Sequence, residues 1–310
     1  MSTILVTGAN GFVGSHAIPA LLDAGHHVLA LVRDDKGASE VLARLPEAQR
    51  SSVEIRRGDV TKPDTLPTAL VGADAVLHLA AIPRDWDGGQ TLRLVNTEGT
   101  RNVVAAMNAA GVDRLVHLGA LGVVDEPDLH YGSSKSKAMA IVRESGLRWT
   151  ILAPSLLFGA RDGFFNILAG LVRMSPGIVP ITGKGQARFQ PLAIEDLAKA
   201  AAMALGDDAY VGRELLLGGP RAWTYREIVE EVLRGMGRKR LLVPMPVAVI
   251  RTVAGVAEAV HLPFPVATDQ LRQLRYDNVG PLDSVRTGFG FDPRSMEGGL
   301  THLRRKAKDQ

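Results

Sequence analysis

The chain has 310 residues, of which 46% are hydrophobic, and carries a formal net charge of +3 at pH 7. This length predicts a large core in one domain or in two coupled domains. The lack of cysteine excludes disulfides, thiolate catalysis and cysteine-ligated zinc, and no basic stretch is interleaved with aromatic residues as nucleic-acid binding would require.

The first predicted elements are a strand, a glycine-rich turn and a helix within residues 3–24. Gly8 permits a tight turn, Gly11 lets a phosphate approach the backbone, and Gly14 lets the helix pack closely on the strand. Amides at the start of the helix, together with its dipole, favour an anion such as a pyrophosphate. The residues that we predict to bind a dinucleotide here are Gly8, Asn10, Gly11, Phe12, Val13 and Gly14.

Five further strands are predicted from apolar runs at residues 27–32, 53–57, 75–79, 114–118 and 148–152. Helix-length segments separate them, and strands that are nearly continuous in apolar residues indicate a parallel sheet covered on both faces. We therefore predict a Rossmann-type, doubly wound α/β fold, in which ligands bind at the carboxyl ends of the strands. Residues 1–155 are assigned to this dinucleotide-binding domain, and residues from about 190 to 219 are expected to return to it.

The second half of the chain has a different pattern, because prolines and glycines become frequent after about residue 155. A helix is predicted at 194–205, and a strand that rejoins the sheet is predicted at 214–217. Residues 156–189 and 220–310 are predicted to form a smaller, mostly helical substrate or lid domain.

The C-terminal part contains a capped helix, an apolar run and a basic tail. Thr224 and Glu227 have the spacing of a capping box, which predicts the start of a helix. Charges and prolines interrupt the apolar run at 243–265, so we expect a core or cap helix that is too short to span a bilayer. The basic residues at 304–308 are predicted to be a solvated helix end, with contact to acidic lipid or a partner as the alternative.

The residues that follow the second, third and fourth strands indicate which dinucleotide is bound. Arg33 is the first polar residue after the second strand, where an arginine accommodates the 2′-phosphate of NADP and an acid binds the 2′-hydroxyl of NAD. Asp34 follows directly and would repel a phosphate if it pointed inward, so NADP(H) is favoured and NAD(H) is the alternative. Asp59 and Val60 are predicted at the adenine edge, although Asp59 also suits a turn or a helix cap. The other predicted cofactor contacts are Ala80, Ala81 and Ile82.

Tyr131 and Lys135 begin the helix after the fifth strand and are predicted to be the reactive pair. Residues four apart share one face of a helix, so Lys135 is expected to lie beside Tyr131 and to lower the pKa of its phenol. A phenol tuned in this way moves a proton to or from a carbonyl or hydroxyl oxygen while hydride moves to or from nicotinamide. Lys135 is also expected to hold the nicotinamide ribose hydroxyls. The alternative is a structural tyrosine at a helix start and a surface lysine.

These motifs, in this order, resemble the extended short-chain dehydrogenase/reductase family. The segments that carry the resemblance are residues 7–14, 58–60, 79–81, 95–100 and 131–135. The second half resembles the branch of NAD-dependent epimerase/dehydratase-like proteins related to the nucleotide-binding accessory subunit of respiratory complex I, at residues 188–196, 217–220 and 237–240. The resemblance implies that Tyr131, Lys135 and Asn96 form the catalytic set and that Pro154 lies near the nicotinamide.

The chain departs from the family pattern after the fifth strand, where a Ser or Thr usually bonds the substrate oxygen. The segment His117–Gly122 contains no hydroxyl, and the aligned residue is Gly119 or Ala120. Losing such a donor typically costs roughly a hundred- to a thousandfold in rate. Either another group such as Ser133 or Ser155 replaces it, or turnover is slow or absent.

Two functions therefore stay open at the level of sequence. One is an NADP(H)-dependent oxidoreductase acting on a small carbonyl, an alcohol, a sugar nucleotide or an isoprenoid-type lipid. The other is an NAD(P)(H)-binding structural, sensing or assembly protein with little turnover. No spacing of His, Asp and Glu indicates a metal site, and His78 and His117 are expected to be core histidines bonded to the backbone.

The expected partners follow from the same features. We expect a small-molecule substrate, no nucleic acid, no transmembrane segment and a monomer or homodimer, and peripheral association with a membrane or a complex stays open. The chain enters its first strand without a charged leader or a secretory core, which predicts a cytoplasmic protein.

Overall fold

The computed structural model describes residues 1–85, 87–175, 177–246, 248 and 276–304. The chain forms two compact units. The first consists of Met1–Ala153 with Glu195–Leu215, and the second of Pro154–Ile194 with Leu216–Gln310. Most of the predicted apolar helix at 243–265 and of the basic tail at 304–308 lies outside the described residues.

The first unit is built on a seven-stranded sheet. Its strands are β1 (Thr3–Thr7), β2 (His27–Val32), β3 (Val53–Arg57), β4 (Ala75–His78), β5 (Arg114–Leu118), β6 (Arg148–Pro154) and β11 (Arg213–Leu217). Their order is β3-β2-β1-β4-β5-β6-β11, and the pairs among β1 to β6 are parallel. The order reverses between β1 and β4, which is where doubly wound sheets bind ligands. The predicted Rossmann-type fold is confirmed, and the strand predicted at 214–217 joins the sheet at its edge.

Helices of the first unit alternate with its strands, as the sequence predicts. They are α1 (Gly14–Asp23), α2 (Asp35–Ala43), α3 (Glu47–Arg50), α4 (Leu66–Leu70), α5 (Gln90–Leu92), α6 (Gly99–Ala110), α7 (His130–Arg143) and α9 (Ile194–Gly206). A π-helical turn, Arg93–Glu98, joins α5 to α6. Buried residues of five strands meet helix residues in one apolar cluster, in which the strands contribute Leu5, Leu29, Val76, Leu115 and Ile151. Removing this surface from water holds the sheet and its helices together.

The second unit contains α8 (Phe164–Met174), α10 (Tyr225–Met236) and α11 (Ser284–Phe289). Its strand pairs are β7 (Leu157–Phe158) with β10 (Leu192–Ala193), β8 (Ile178–Thr182) with β13 (Leu241–Met245), and β9 (Arg188–Phe189) with β12 (Trp223–Thr224). Short 3₁₀ turns of the two units lie at Pro63–Thr65, Asp208–Tyr210 and Thr301–Arg304.

The structure confirms the predicted start of α10 and differs from the prediction at β13. The capping box is confirmed, because the side chains of Thr224 and Glu227 each accept from the backbone amide of the other. Residues 241–245, by contrast, form a strand where a helical stretch was expected. The reason is tertiary, since these five residues pair in register with β8.

Gln190 joins three segments of the second unit from a fully buried position. Its side-chain amide donates to Gly219 O (2.7 Å) and Pro281 O (3.3 Å), and its side-chain carbonyl accepts from Gly280 N (2.9 Å). The side chain also fills the space beside Gly218, where a Cβ would lie 2.1 Å from Gln190 Cδ. Gln190 therefore satisfies one buried and two partly buried backbone groups that no apolar side chain could satisfy.

We expect Gln190→Leu to lower the free energy of unfolding by about 2 kcal/mol, because the buried Gly219 carbonyl loses its partner and such a loss costs roughly 1–3 kcal/mol. Urea unfolding followed by tryptophan fluorescence measures the change. Gln186→Leu is the matched control, since Gln186 is exposed and should change stability by less than about 0.5 kcal/mol. Equal stability of the two variants would contradict the role assigned to Gln190.

Candidate functional site

The glycine-rich turn links β1 to α1 and leaves no room for side chains at two positions. Gly8 has a φ of +67°, and a Cβ there would lie 2.9 Å from Ala80 N. A Cβ on Gly14 would lie 2.5 Å from Ala9 O, so α1 reaches the turn only because this residue has no side chain. Gly11 is exposed, and its amide donates to Gly8 O at 2.9 Å. A bare, exposed backbone at the start of a helix fits the diphosphate of a dinucleotide.

Asn10 is held in this turn by two residues that sequence analysis missed. Its side-chain amide donates to Glu40 Oε2 at 3.0 Å, and the Arg44 guanidinium donates to its backbone carbonyl. Glu40 and Arg44 lie one helical turn apart at the end of α2, with 3.7 Å between their charged atoms. Their spacing of four was the only signal in the sequence. Phe12 and Val13, which follow in the turn, are half-buried.

Arg33 and Asp34, at the end of β2, take different roles. Asp34 is the N-cap of α2, and its Oδ1 accepts from Gly37 N at 2.7 Å. Arg33 is exposed, and no hydrogen bond or ion pair joins its guanidinium to the part of the chain that the structure describes. The Asp34 carboxylate thus caps α2, whereas the Arg33 guanidinium can bind a ligand.

The residues after β3 support the loop that they belong to. Asp59 Oδ1 accepts from Thr61 N (2.9 Å) and from Thr61 Oγ1 (2.8 Å), which is the turn role that the sequence left as the alternative. The Val60 side chain is buried against Gly99, where a Cβ would lie 2.9 Å from Val60 Cγ2. A cofactor role for Asp59 and Val60 stays a prediction.

The turn after β4 is held from two sides. Thr7 Oγ1 accepts from Ala80 N at 3.2 Å. Asn96 brackets Ile82, because its side-chain carbonyl accepts from Ile82 N (2.8 Å) and its amide donates to Ile82 O (3.0 Å). The same amide donates to Ser134 Oγ on α7 at 3.0 Å. Asn96 is only 1% exposed and positions this turn against α7. Its catalytic role stays a prediction.

His78 and His117 are buried neighbours on β4 and β5, with ring centroids 5.3 Å apart. His78 bonds hydroxyls and not the backbone groups that we expected, since Nδ1 pairs with Thr7 Oγ1 (2.7 Å) and Nε2 with Thr100 Oγ1 (3.0 Å). Thr7 Oγ1 already accepts two backbone amides, so it donates to Nδ1 and the ring proton lies on Nε2. Burial, with a smaller contribution from the Lys135 charge, lowers the pKa of His78 to about 3. Neither ring nitrogen of His117 has a hydrogen-bond partner among the described residues.

Tyr131 and Lys135 lie one turn apart on α7, but burial changes their acidity in a direction that we did not expect. Lys135 is 3% exposed, and its Nζ donates to Leu118 O at the end of β5 (2.5 Å). Burial lowers the pKa of Lys135 to about 8 and raises the pKa of Tyr131 to about 12. The expectation of a lowered Tyr131 pKa is wrong for this structure, because burial of the phenol disfavours its charged phenolate form. Tyr131 is therefore a protonated phenol at neutral pH.

Gly119 and Ala120, the two residues that the sequence aligned with the family's Ser or Thr, differ in the space around them. A Cβ on Gly119 would lie 2.9 Å from Ile151 Cγ2 and 3.0 Å from Met139 Sδ. A serine therefore does not fit at Gly119, whereas Ala120 already carries a Cβ and is half-buried. Pro154, the last residue of β6, is buried.

Ser133 and Ser155, the two candidate replacements for that hydroxyl, have other partners. Ser133 Oγ donates to Asp125 Oδ1 at 2.5 Å. Ser155 belongs to the second unit, where its Oγ donates to Asn278 O (2.9 Å) and accepts from Gln190 N (3.1 Å). Both hydroxyls are thus engaged in local structure, which makes either one a poor substitute for the usual serine.

The described ranges contain neither a cluster of metal-ligating side chains nor a membrane-spanning helix. No three His, Cys, Asp or Glu side chains in residues 1–85, 87–175, 177–246, 248 and 276–304 are grouped so that they could hold a metal ion. In those same ranges, no helix combines the length and the hydropathy needed to cross a membrane.

Known proteins show what this chain is similar to. A family model described as NAD(P)H-binding matches residues 8–167. The 2-alkyl-3-oxoalkanoate reductase of Stenotrophomonas maltophilia is 27% identical over 335 residues, which cover 97% of this chain and 98% of that protein. The mitochondrial 40 kDa subunit of NADH-ubiquinone oxidoreductase from Neurospora crassa is 23% identical over 297 residues, 95% of this chain and 76% of that one. The crystal structure of gox2253 superimposes with a TM-score of 0.75 at 26% identity, covering 99% of this chain and 100% of the other.

Proposed function

Because this chain belongs to the NAD(P)H-binding family, in an atypical branch of the short-chain dehydrogenases/reductases, we propose that it is an oxidoreductase that uses NADP(H) to reduce a small ketone or aldehyde. The observation that carries this proposal is the pair on α7. Tyr131 and Lys135 lie one turn apart, and Lys135 Nζ contacts Leu118 O at the carboxyl end of β5. Ligands bind at this end of the strands in such sheets.

The residues of this chain would divide the work as follows. When bound, NADPH would be the source of the hydride for the carbonyl carbon. The backbone of the glycine turn would hold the diphosphate, and Lys135 would hold the nicotinamide ribose hydroxyls. Tyr131 would donate its phenolic proton to the carbonyl oxygen as the general acid, since burial keeps this phenol in its protonated form. Lys135, charged below its pKa of about 8, would stabilise the phenolate that is left.

The name of the reductase relative suggests which substrates to test first, because it specifies a 2-alkyl-3-oxoalkanoate. We infer that 3-oxoalkanoates are the first candidates and that sugar nucleotides are the second. The experiment is to follow NADPH oxidation over a panel of 3-oxoalkanoates, simple aldehydes and ketones, and sugar nucleotides. Turnover of at least one carbonyl compound supports the proposal, and NADPH binding without any turnover contradicts it.

The preference for NADP(H) over NAD(H) is tested at Arg33. We expect Arg33→Asp to weaken NADPH binding roughly tenfold to a hundredfold, which is the usual worth of a charged hydrogen bond, and to change NADH binding less than about twofold. Fluorescence titration with both nucleotides measures this. Lys36→Asp is the matched control, because it makes the same charge change at another exposed residue of this segment. Equal losses for NADPH and NADH would show that Arg33 is not the selector.

A second candidate function is favoured by Ala120. Without the usual hydroxyl beside the reactive pair, the chain would bind NAD(P)(H) and turn over little or no substrate. It would then act as a structural, sensing or assembly partner, in line with the relative that is named as a subunit of a larger oxidoreductase. Nucleotide that co-purifies with the protein, together with a negative substrate panel, would favour this function over the first.

A further inference from the structure

One edge of the second unit, at the end of α8 and along β8 and β13, has an apolar outward face. Val179 and Ile181 of β8 pack into the core cluster of this unit, whereas Ile178 is 54% exposed. Leu241 lies opposite Ile178 in the strand pairing and is 66% exposed. Met174, the last residue of α8, is 72% exposed. A strand pair that covers a core usually alternates apolar and polar residues, so an apolar outer face indicates a binding surface.

A run of basic residues adjoins these apolar side chains. Arg238 and Lys239 are exposed directly before β13, and within the described part of the chain neither side chain forms an ion pair. Arg240 Nε donates to Ser175 O at 2.8 Å, which holds the basic run against the end of α8. Several other exposed arginines pair with carboxylates, namely Arg101, Arg143, Arg188, Arg221 and Arg286. Arg238 and Lys239 therefore place two unpaired positive charges beside the exposed apolar side chains of this edge.

We propose that Met174, Ile178, Leu241, Arg238 and Lys239 form a surface that binds an anionic phospholipid bilayer. Apolar side chains that project beside cations suit a bilayer surface, because their tips enter the apolar layer while the cations meet lipid phosphates. Arginine and lysine near an anionic leaflet are attracted at short range, within the Debye length. None of the residues of this apolar–basic surface is one that we assign to the nucleotide site, so the proposal does not rest on the oxidoreductase function.

The same surface is poorly suited to two other occupants. Pro180 and Pro244 lack backbone donors, so β8 and β13 are poor templates for a strand from a partner protein. The surface also has no aromatic anchor of the kind that dominates protein interfaces. A second copy of the chain, related by a two-fold axis, would bring a second Arg238 and Lys239 into the same interface, which would add like charges there.

Co-sedimentation with lipid vesicles tests the proposal. We expect the wild-type protein to sediment with vesicles of equal parts phosphatidylcholine and phosphatidylglycerol, and to stay in the supernatant with phosphatidylcholine alone. Met174→Ser combined with Leu241→Ser, and separately Arg238→Glu combined with Lys239→Glu, should each weaken binding by about tenfold or more. Added salt should weaken wild-type binding as well.

Control experiments distinguish a specific loss of vesicle binding from unfolding of the variants. Val71→Ser combined with Lys62→Glu changes an apolar residue that is 63% exposed and an exposed lysine in the first unit, and it should bind vesicles as the wild type does. NADPH titration and circular dichroism of every variant report whether it is folded. The proposal is overturned if the wild type ignores anionic vesicles, if it binds both vesicle types equally, or if the surface variants bind as the wild type does. It is also overturned if Leu241→Ser dissociates a dimer in sedimentation velocity, because the surface would then be a self-contact.

Discussion

Tyr131→Phe should lower the rate of NADPH-dependent carbonyl reduction by about a thousandfold, within the range that general acid catalysis contributes. The substitution removes one oxygen from α7 and leaves the ring that packs there. Because burial raises the pKa of the Tyr131 phenol to about 12, the wild-type group is protonated at neutral pH and can donate to a carbonyl oxygen. NADPH affinity should change less than about twofold, since the proton donor acts on the substrate and not on the diphosphate.

The matched control for this variant is Tyr225→Phe. Burial also raises the pKa of Tyr225 to about 12, but Tyr225 lies on α10 in the second unit, away from Lys135 in sequence. The control loses the same atom from a buried ring and should keep full activity on whichever carbonyl compound the panel identifies. Undiminished turnover by Tyr131→Phe would remove this phenol from the mechanism, whatever happens to the control.

The second large effect is expected at Ala120, where a serine should increase activity. Ala120→Ser adds the hydroxyl that the family usually carries after the fifth strand, and one such donor is worth roughly a hundred- to a thousandfold in rate. The residue is half-buried and already has a Cβ. We therefore expect kcat to rise while NADPH affinity stays unchanged, and steady-state kinetics on the wild type and the variant measure this.

Two control variants define what the Ala120→Ser result means. Gly119→Ser should destabilise the protein without a gain in activity, because its Cβ would lie 2.9 Å from Ile151 Cγ2. Ser133→Ala should leave turnover nearly unchanged, because Ser133 Oγ bonds Asp125. If Ala120→Ser has no effect and Ser133→Ala abolishes activity, then Ser133 supplies the missing donor and our assignment fails.

Much of the fold was predictable because its signals are local in the sequence. The apolar runs predicted β1 to β6 nearly residue by residue, since buried parallel strands need continuous apolar segments. The spacing of Gly8 and Gly14 predicted a turn with no room for side chains, and the structure shows atoms within 3 Å of each missing Cβ. The capping box at Thr224 could be predicted for the same reason, because both of its partners lie within one turn.

The sequence by itself determined the class of the fold, the place of the glycine turn and the pairing of Tyr131 with Lys135 on one helix, because each depends on residues close together in the chain. Tertiary structure alone decided the direction of the Tyr131 pKa, the contact of Arg44 with Asn10 and the lack of space at Gly119. These properties depend on desolvation and on clearance between elements. Arg44 is 34 positions from Asn10, and Ile151 is 32 positions from Gly119. A local sequence pattern does not contain these distances. The protonation of Tyr131 and Lys135 could therefore be assigned only from the packing of the folded chain.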